Sequence, residues 1–373
     1  MASRRTILTV FGTRPEAIKL FPLVHALRGD ARFTPRVCVS GQHRAMLDPV
    51  LDFAGIRPDH DLAVMRDGQG LDRLFCSVLA GVGALLDRER PDSVVVQGDT
   101  TTALAGALAA FHRKIPVVHV EAGLRSDDLG HPWPEEGNRK AITALAAVHC
   151  APTTGAAETL RRENVPAGQI HVTGNTGIDA LLWTLDRLAE GADVSSATRS
   201  VLDRREGRHT LLVTAHRREA LGDGLHGIVE AVAALADRPD VTVIWPVHLN
   251  PAVRAVVHHR LGAHRRVHLL DPLSYPDMAA VMRASTLLLT DSGGLQEEAP
   301  ALGLPVLVLR DTTERPEAVA AGTAQLVGTR SAPIVAAASR LLDDAGAYRR
   351  MARAHSPFGD GRASQRIADL LAA

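Results

Sequence analysis

Short aliphatic runs, each followed by a turn and then by a helical apolar pattern, restrict this chain more than any other feature of its sequence. They are Thr6 to Phe11, Arg36 to Ser40, Ser93 to Gln97 and Ile115 to Val120, then Thr210 to Ala215, Val241 to Pro246, Val267 to Leu270, Thr286 to Asp291 and Leu304 to Leu309. Their hydrophobicity is continuous rather than alternating, which predicts strands buried on both faces and hence parallel sheets with helices on either side. At 373 residues the chain exceeds the roughly 250–300 residues at which one core stops growing. The expected fold is therefore α/β, with two doubly wound Rossmann-like domains facing a cleft. Composition alone places the linker in or near the polar stretch Glu190 to Arg208. Pro22, inside the pattern Leu20, Val24, Leu27, predicts a kink or a restart of the first helix, and Ile367, Leu370 and Leu371 suit a last one.

Charge excludes several classes. Lysine plus arginine equals aspartate plus glutamate at 42 each, so nothing suggests a field that would coat nucleic acid or a membrane surface. Cys38, Cys76 and Cys150 are far apart and never in a Cys-x-x-Cys arrangement. That fits reduced thiols and a cytoplasmic protein. The first apolar run is too short for a signal core, and no stretch approaches about 18 apolar residues. His264 and His268 have His-x-x-x-His spacing, but His268 lies in a run read as a strand, where that spacing does not align ligands. No metal is expected. No Gly-x-Gly-x-x-Gly follows a strand, so no nicotinamide cofactor is expected either.

The turns after the strands hold the candidate chemistry. In Thr290-Asp-Ser-Gly-Gly-Leu-Gln-Glu-Glu298 a strand passes through a tight turn into a helix. Gly293 and Gly294 let a ligand approach the backbone, and the free N–H groups of the helix start favour an anion. The dipole contributes only about 0.3–1 kcal/mol, so a diphosphate would need cations as well. Arg315, after the next strand, is one candidate, with a solvated turn as the plain alternative. Arg14 and Lys19 flank the first helix entrance in Gly12-Thr-Arg-Pro-Glu16, unless they are ordinary surface charges. Asp99 follows the run ending at Gln97, where helix capping is the plain alternative. Glu121 ends the next run, with pairing to Arg125 as its plain alternative. Glu135 and Glu136 open a helix behind Pro132-Trp-Pro134, where first-turn acids are common decoration. Three strand or helix ends each offering a carboxylate suit proton transfer, which typically contributes about 10²–10⁴ in rate. His216, after the first strand of the second half, could face the first domain.

Taken together these motifs resemble the bacterial non-hydrolysing UDP-N-acetylglucosamine 2-epimerases. The resemblance runs nearly end to end. It is carried by Phe11 to Lys19, Gln42-His43, Gly98 to Thr102, His119 to Arg125, Pro132 to Glu136, Gly174-Asn-Thr176, His216-Arg-Arg-Glu219, Pro246 to Pro251, Thr290 to Pro300 and Arg310 to Glu317. It implies the glycosyltransferase B-type architecture, with domains 1–175 and 176–356 and a final segment 357–373 that returns to the first. It also implies reversible epimerisation at carbon 2 of UDP-N-acetylglucosamine to UDP-N-acetylmannosamine, through elimination of UDP to 2-acetamidoglucal and re-addition, without cofactor.

By the same resemblance Asp99, Glu121, Glu135 and His216 form the catalytic group. Ser292, Gly293, Gly294, Arg14, Arg315 and His216 would hold phosphates, Glu298 the ribose hydroxyls, and Lys19 would assist electrostatically. The partners implied are the UDP-sugar and a second copy in a homodimer, with no nucleic acid and no membrane. A hydrolysing relative that releases N-acetylmannosamine and UDP, a glycosyltransferase of the same architecture and a non-catalytic UDP-sugar sensor are the alternatives. Many relatives have His for Gln97 and Phe for Cys150, differences expected to be packing adjustments. Leu273 and Met278 replace Gln and Phe of some relatives near the expected uracil site, which would alter nucleotide affinity. Ala45 and Gly68 replace polar residues where relatives bind an activating second substrate, so regulation is not assumed.

Overall fold

A computed structural model describes residues 4–42, 44–66, 68–205, 207–215, 223–353 and 356–373. The chain divides into two compact units, Met1–Ala180 with Phe358–Ala373, and Leu181–Pro357. The first holds a sheet of strands β1 (Arg5–Phe11), β2 (Phe33–Val39), β3 (His60–Asp61), β4 (Ser93–Gln97), β5 (Val117–Val120), β6 (Val148–Ala151) and β7 (Ile170–Val172). All neighbours are parallel, in the order β3-β2-β1-β4-β5-β6-β7. The second holds β8 (His209–Thr214), β9 (Val241–Pro246), β10 (Val267–Leu270), β11 (Leu287–Thr290), β12 (Val306–Val308) and β13 (Ala324–Leu326), again parallel, in the order β10-β9-β8-β11-β12-β13.

Two doubly wound α/β domains are thus present, as the aliphatic runs require. In each sheet the order in which the chain adds strands reverses once, between β1 and β4 in the first and between β8 and β11 in the second. Such switch points open a crevice at the carboxyl ends of the strands, where ligands bind in this class of fold. The turn after β4 carries Asp99, and the turn after β11 carries Ser292. The sheet cores are the aliphatic runs themselves: Val94, Val95 and Val96 of β4 and Leu287, Leu288 and Leu289 of β11 are all fully buried. Strands β3, β6, β7 and β13 were not expected from the sequence. They span two to four residues, and His149 and His171 interrupt the apolar run in β6 and β7, so no continuous pattern marks them.

Two local expectations are corrected. Of the kink or restart expected at Pro22, the restart is the part corrected: the helix Arg14–Arg28 continues through Pro22, which is buried on its packed face, and tertiary contact outweighs the lost helical hydrogen bond. The stretch Glu190 to Arg208 is not bare linker. It contains the helix Ser196–Asp203, inside the second unit, with Thr198 and Val201 buried. Ser195 caps this helix by accepting from the Thr198 N–H, and its own N–H is held by Asp277 at 2.8 Å. Its polarity is that of a capped surface helix. The last helix, Ala363–Ala372, belongs to the first unit. Asp179 accepts the N–H groups of Ala363 and Ser364 at 3.2 and 2.7 Å, an acid serving the otherwise unpaired donors of a helix start.

Gly123 shows how closely the backbone packs behind the turn after β5. Its φ is +89°, and a Cβ there would lie 2.3 Å from the Ala156 carbonyl oxygen. Gly123→Ala should therefore destabilise by about 2–5 kcal/mol, left-handed strain plus backbone overlap. Gly137→Ala, within the helix Glu135–Leu145 and with nothing within 4 Å of the added methyl, should be neutral or gain up to about 1 kcal/mol. Thermal melts of both variants check this; equal midpoints would contradict the packing described.

Candidate active site

The first turn is organised by a carboxylate that sequence reasoning passed over. Glu16 is 1% exposed, so its oxygens must be satisfied internally. Its Oε2 accepts from the N–H groups of Gly12 and Thr13 at 3.0 and 2.8 Å, and its Oε1 from the Thr100 hydroxyl at 2.7 Å. It thereby ties the turn after β1 to the turn after β4, on either side of the switch point. The start of the helix Arg14–Arg28 is already occupied by this internal carboxyl group. What it offers a ligand is Arg14, which is exposed and makes no ion pair among the described residues.

Asp99 is not a helix cap. Thr100 takes that place, its hydroxyl accepting from the Ala103 N–H at 3.0 Å. The Asp99 carboxylate instead accepts from Arg139, and its carbonyl from the Asn138 amide at 2.8 Å. Glu121 does not pair with Arg125, which is bound to Glu163 and Thr143. The backbone of Glu121 is left-handed, with φ +66°, and its Oε2 accepts from both Lys19 Nζ and Gln97 Nε2 at 2.5 Å. The surface-charge alternative fails for Lys19, whose side chain is 17% exposed. Gln97, expected to be a packing position, is a polar partner of a candidate acid.

Glu135 and Glu136, equivalent in sequence, separate in the fold. Glu136 has no exposed side-chain surface and accepts from the N–H groups of Ser126 and Asp127 at 3.1 and 3.3 Å, with Arg139 at 3.4 Å. It is a clamp on the preceding loop. Glu135 is half-buried and makes no ion pair among the described residues. Because Arg139 and Asn138 of the same helix hold Asp99, Glu135 sits one helical turn from that contact. The structure therefore gathers Lys19, Gln97, Asp99, Glu121 and Arg139 around the ends of β4 and β5. It adds Gln97, Asn138 and Arg139 to the sequence-derived set.

In the second unit β11 ends at Thr290, whose hydroxyl accepts from the Ser292 N–H at 2.9 Å and lies 2.6 Å from that of Thr214 on the neighbouring strand. The helix Gly293–Glu298 follows, with Ser292 at its cap and open space where a Gly294 side chain would lie. Arg315 is 13% exposed and donates to the buried Glu297, so it is not a solvated turn residue. Its N–H donates to the Thr313 hydroxyl at 3.1 Å, and that hydroxyl donates in turn to Gln296 at 2.7 Å. The arginine is thus locked to the Gly-Gly helix. Glu298 is half-buried; burial, and after it the nearby Glu298 charge, raises the Tyr275 phenol well above its usual range. His216, with Arg217, Arg218 and Glu219, lies outside the described residues.

Comparison with known proteins identifies the family. A family model described as UDP-N-acetylglucosamine 2-epimerase matches residues 25–372. The chain belongs to the UDP-N-acetylglucosamine 2-epimerase family. Relatives of that name from Yersinia pestis and Escherichia coli are 52% and 51% identical over 369 residues, covering 98% of each chain. The UDP-GlcNAc 2-epimerase of Neisseria meningitidis, solved bound to UDP-GlcNAc, has a TM-score of 0.88 at 42% identity and covers 98% of this chain and 99% of its own. No helix among the described residues is long and apolar enough to cross a membrane.

The buried groups of this epimerase-family chain set opposing pH dependences. Burial, outweighing its hydrogen bonds, raises the Glu16 carboxyl from 4.5 to about 7. Between those values the folded state holds a proton that the unfolded state has lost, so this contribution to stability falls as pH rises from about 4.5 through 7. His119 and His149 go the other way: burial lowers them from 6.5 to about 3 and about 4, and stability falls as pH drops below 6.5. Of these three groups, the two imidazoles disfavour the fold on the acid side and the carboxyl on the basic side. Glu16→Gln should gain thermal stability relative to the parent as pH rises from 5 to 8.5. A difference that does not change with pH would contradict the assignment.

Proposed function

We propose that this chain interconverts UDP-N-acetylglucosamine and UDP-N-acetylmannosamine by moving a proton at carbon 2 while UDP leaves carbon 1 and returns. A carboxylate takes the carbon 2 proton, the bond from carbon 1 to the diphosphate oxygen breaks with its electron pair leaving on UDP, and 2-acetamidoglucal remains. Re-addition of the proton on the opposite face and of UDP at carbon 1 completes the exchange. One base cannot easily serve both faces, which is the reason to place more than one acid in the reaction. The observation that carries this reading is that Asp99 and Glu121 end adjacent strands, each bound to its own basic side chain, Arg139 and Lys19. Family membership supports it, as does the UDP-GlcNAc bound in the relative from Neisseria meningitidis.

In this reading Asp99, Glu121, Glu135 and His216 move protons or steady charge. Ser292, Gly293, Gly294, Arg14 and Arg315 hold the diphosphate, and Glu298 holds the ribose hydroxyls. Glu297 and Thr313 fix Arg315 in advance, which lowers the ordering cost of gripping a phosphate. A homodimer and a cytoplasmic location belong to the same proposal, the latter resting on three free cysteines.

Incubation with UDP-N-acetylglucosamine in deuterated water, followed by proton spectra, is the test. Deuterium should enter carbon 2 as the manno product appears. Free N-acetylmannosamine with UDP would support a hydrolase instead, and an unlabelled, unchanged donor would refute the proposal. Asp99→Asn and Glu121→Gln keep shape and remove the ionisable group, so each should slow exchange by roughly 10²–10⁴ while UDP still binds. Near-normal exchange in both would show that the acids are misassigned.

A further inference from the structure

Beyond the candidate acids, one neutral side chain is built into their machinery. Gln97 is the last residue of β4, 4% exposed, and in register with Val120 of β5. Glu121 comes immediately after Val120, and its left-handed backbone takes its side chain out of the strand's alternation. There it meets Gln97, whose Nε2 donates to Oε2, the same oxygen that accepts from Lys19. The other oxygen, Oε1, makes no hydrogen bond among the described residues. A carboxylate bound through one oxygen by two donors is restricted in both χ rotation and choice of reacting atom.

We infer that Gln97 is a positioning residue that fixes Glu121 so that Oε1, not Oε2, is the oxygen that exchanges the proton. The inference rests on the reading of Glu121 as an acid–base group. Lys19 alone would be a poor orienter, because an ammonium on a flexible stem attracts without setting a plane. The amide of Gln97, short, buried and carried on a strand with neighbours on both sides, supplies the fixed direction. Glutamine also adds no charge beside the acid, so it orients Glu121 without competing for its proton.

The test is a double-mutant cycle on carbon 2 exchange with Gln97→Met, Glu121→Gln and the pair. Gln97→Met keeps length and loses the donor. It should lower the turnover number about 10²-fold, the scale on which misplacing a reacting group by about 1 Å is felt, while KM and UDP affinity stay within about threefold. Gln97→His, which retains an N–H donor, should restore most of the rate. In the Glu121→Gln background the added cost of Gln97→Met should shrink to about twofold or less. Full additivity, an effect confined to KM, no rescue by His, or a Gln97→Met enzyme of parental rate would each overturn the inference. Full activity in Glu121→Gln alone would instead overturn the underlying reading of Glu121. Should Gln97→Met fail to fold, Gln97→Leu, likewise uncharged and without the donor, carries the same cycle.

Discussion

A carboxylate set among parallel strands that are buried on both faces has to find donors within the protein, because water is largely excluded and the cost of leaving it unpaired is several kcal/mol. That constraint arranges the first unit. Glu16 takes two backbone N–H groups and a hydroxyl, Glu136 takes two more N–H groups and an arginine, Asp99 takes Arg139, and Glu121 takes Lys19 and Gln97. The first two commit both of their oxygens to the fold. The last two are held on one side only, a state suited to a group that must gain and lose protons.

The two kinds of acid depend on each other. Glu16 binds the turn after β1 to Thr100, next to Asp99, and Glu136 shares Arg139 with Asp99. Changing a structural acid would therefore move a candidate catalytic one, and activity alone would not separate their roles. In the second unit the same logic runs with opposite sign: a buried glutamate, Glu297, holds an arginine in place beside the turn proposed to receive the diphosphate.

Much of this was legible in the sequence, and the reasons for success and failure are physical. Long central strands are continuous apolar runs because both of their faces are covered, so β1, β4, β9 and β11 can be read directly. The edge strands β3, β7 and β13 bury too few residues to leave that mark, and His149 breaks the apolar run in β6. The positions of Asp99, Glu121 and Ser292 follow from the rule that ligand groups gather where strands end. Their partners do not follow from it, because Lys19, Gln97 and Arg139 are brought to them by sheet order and not by spacing. Residue type and spacing alone could not tell Glu135 from Glu136, since a helix turns about 100° between neighbours and the packing decides which one is buried; only the family resemblance singled out Glu135. Gln97 was missed because a glutamine at a strand end carries no charge to draw notice.

The account depends on breakage of the carbon 2–hydrogen bond by acids anchored at the ends of β4 and β5. The most direct measurement is the ratio of kcat/KM for UDP-N-acetylglucosamine carrying hydrogen or deuterium at carbon 2, in the parent enzyme and in Glu121→Gln. A normal primary isotope effect in the parent, equal or larger in the variant because proton transfer then limits the rate more fully, is the predicted result. A ratio of one in both would mean that the bond is not broken in a step these residues control, and would contradict it.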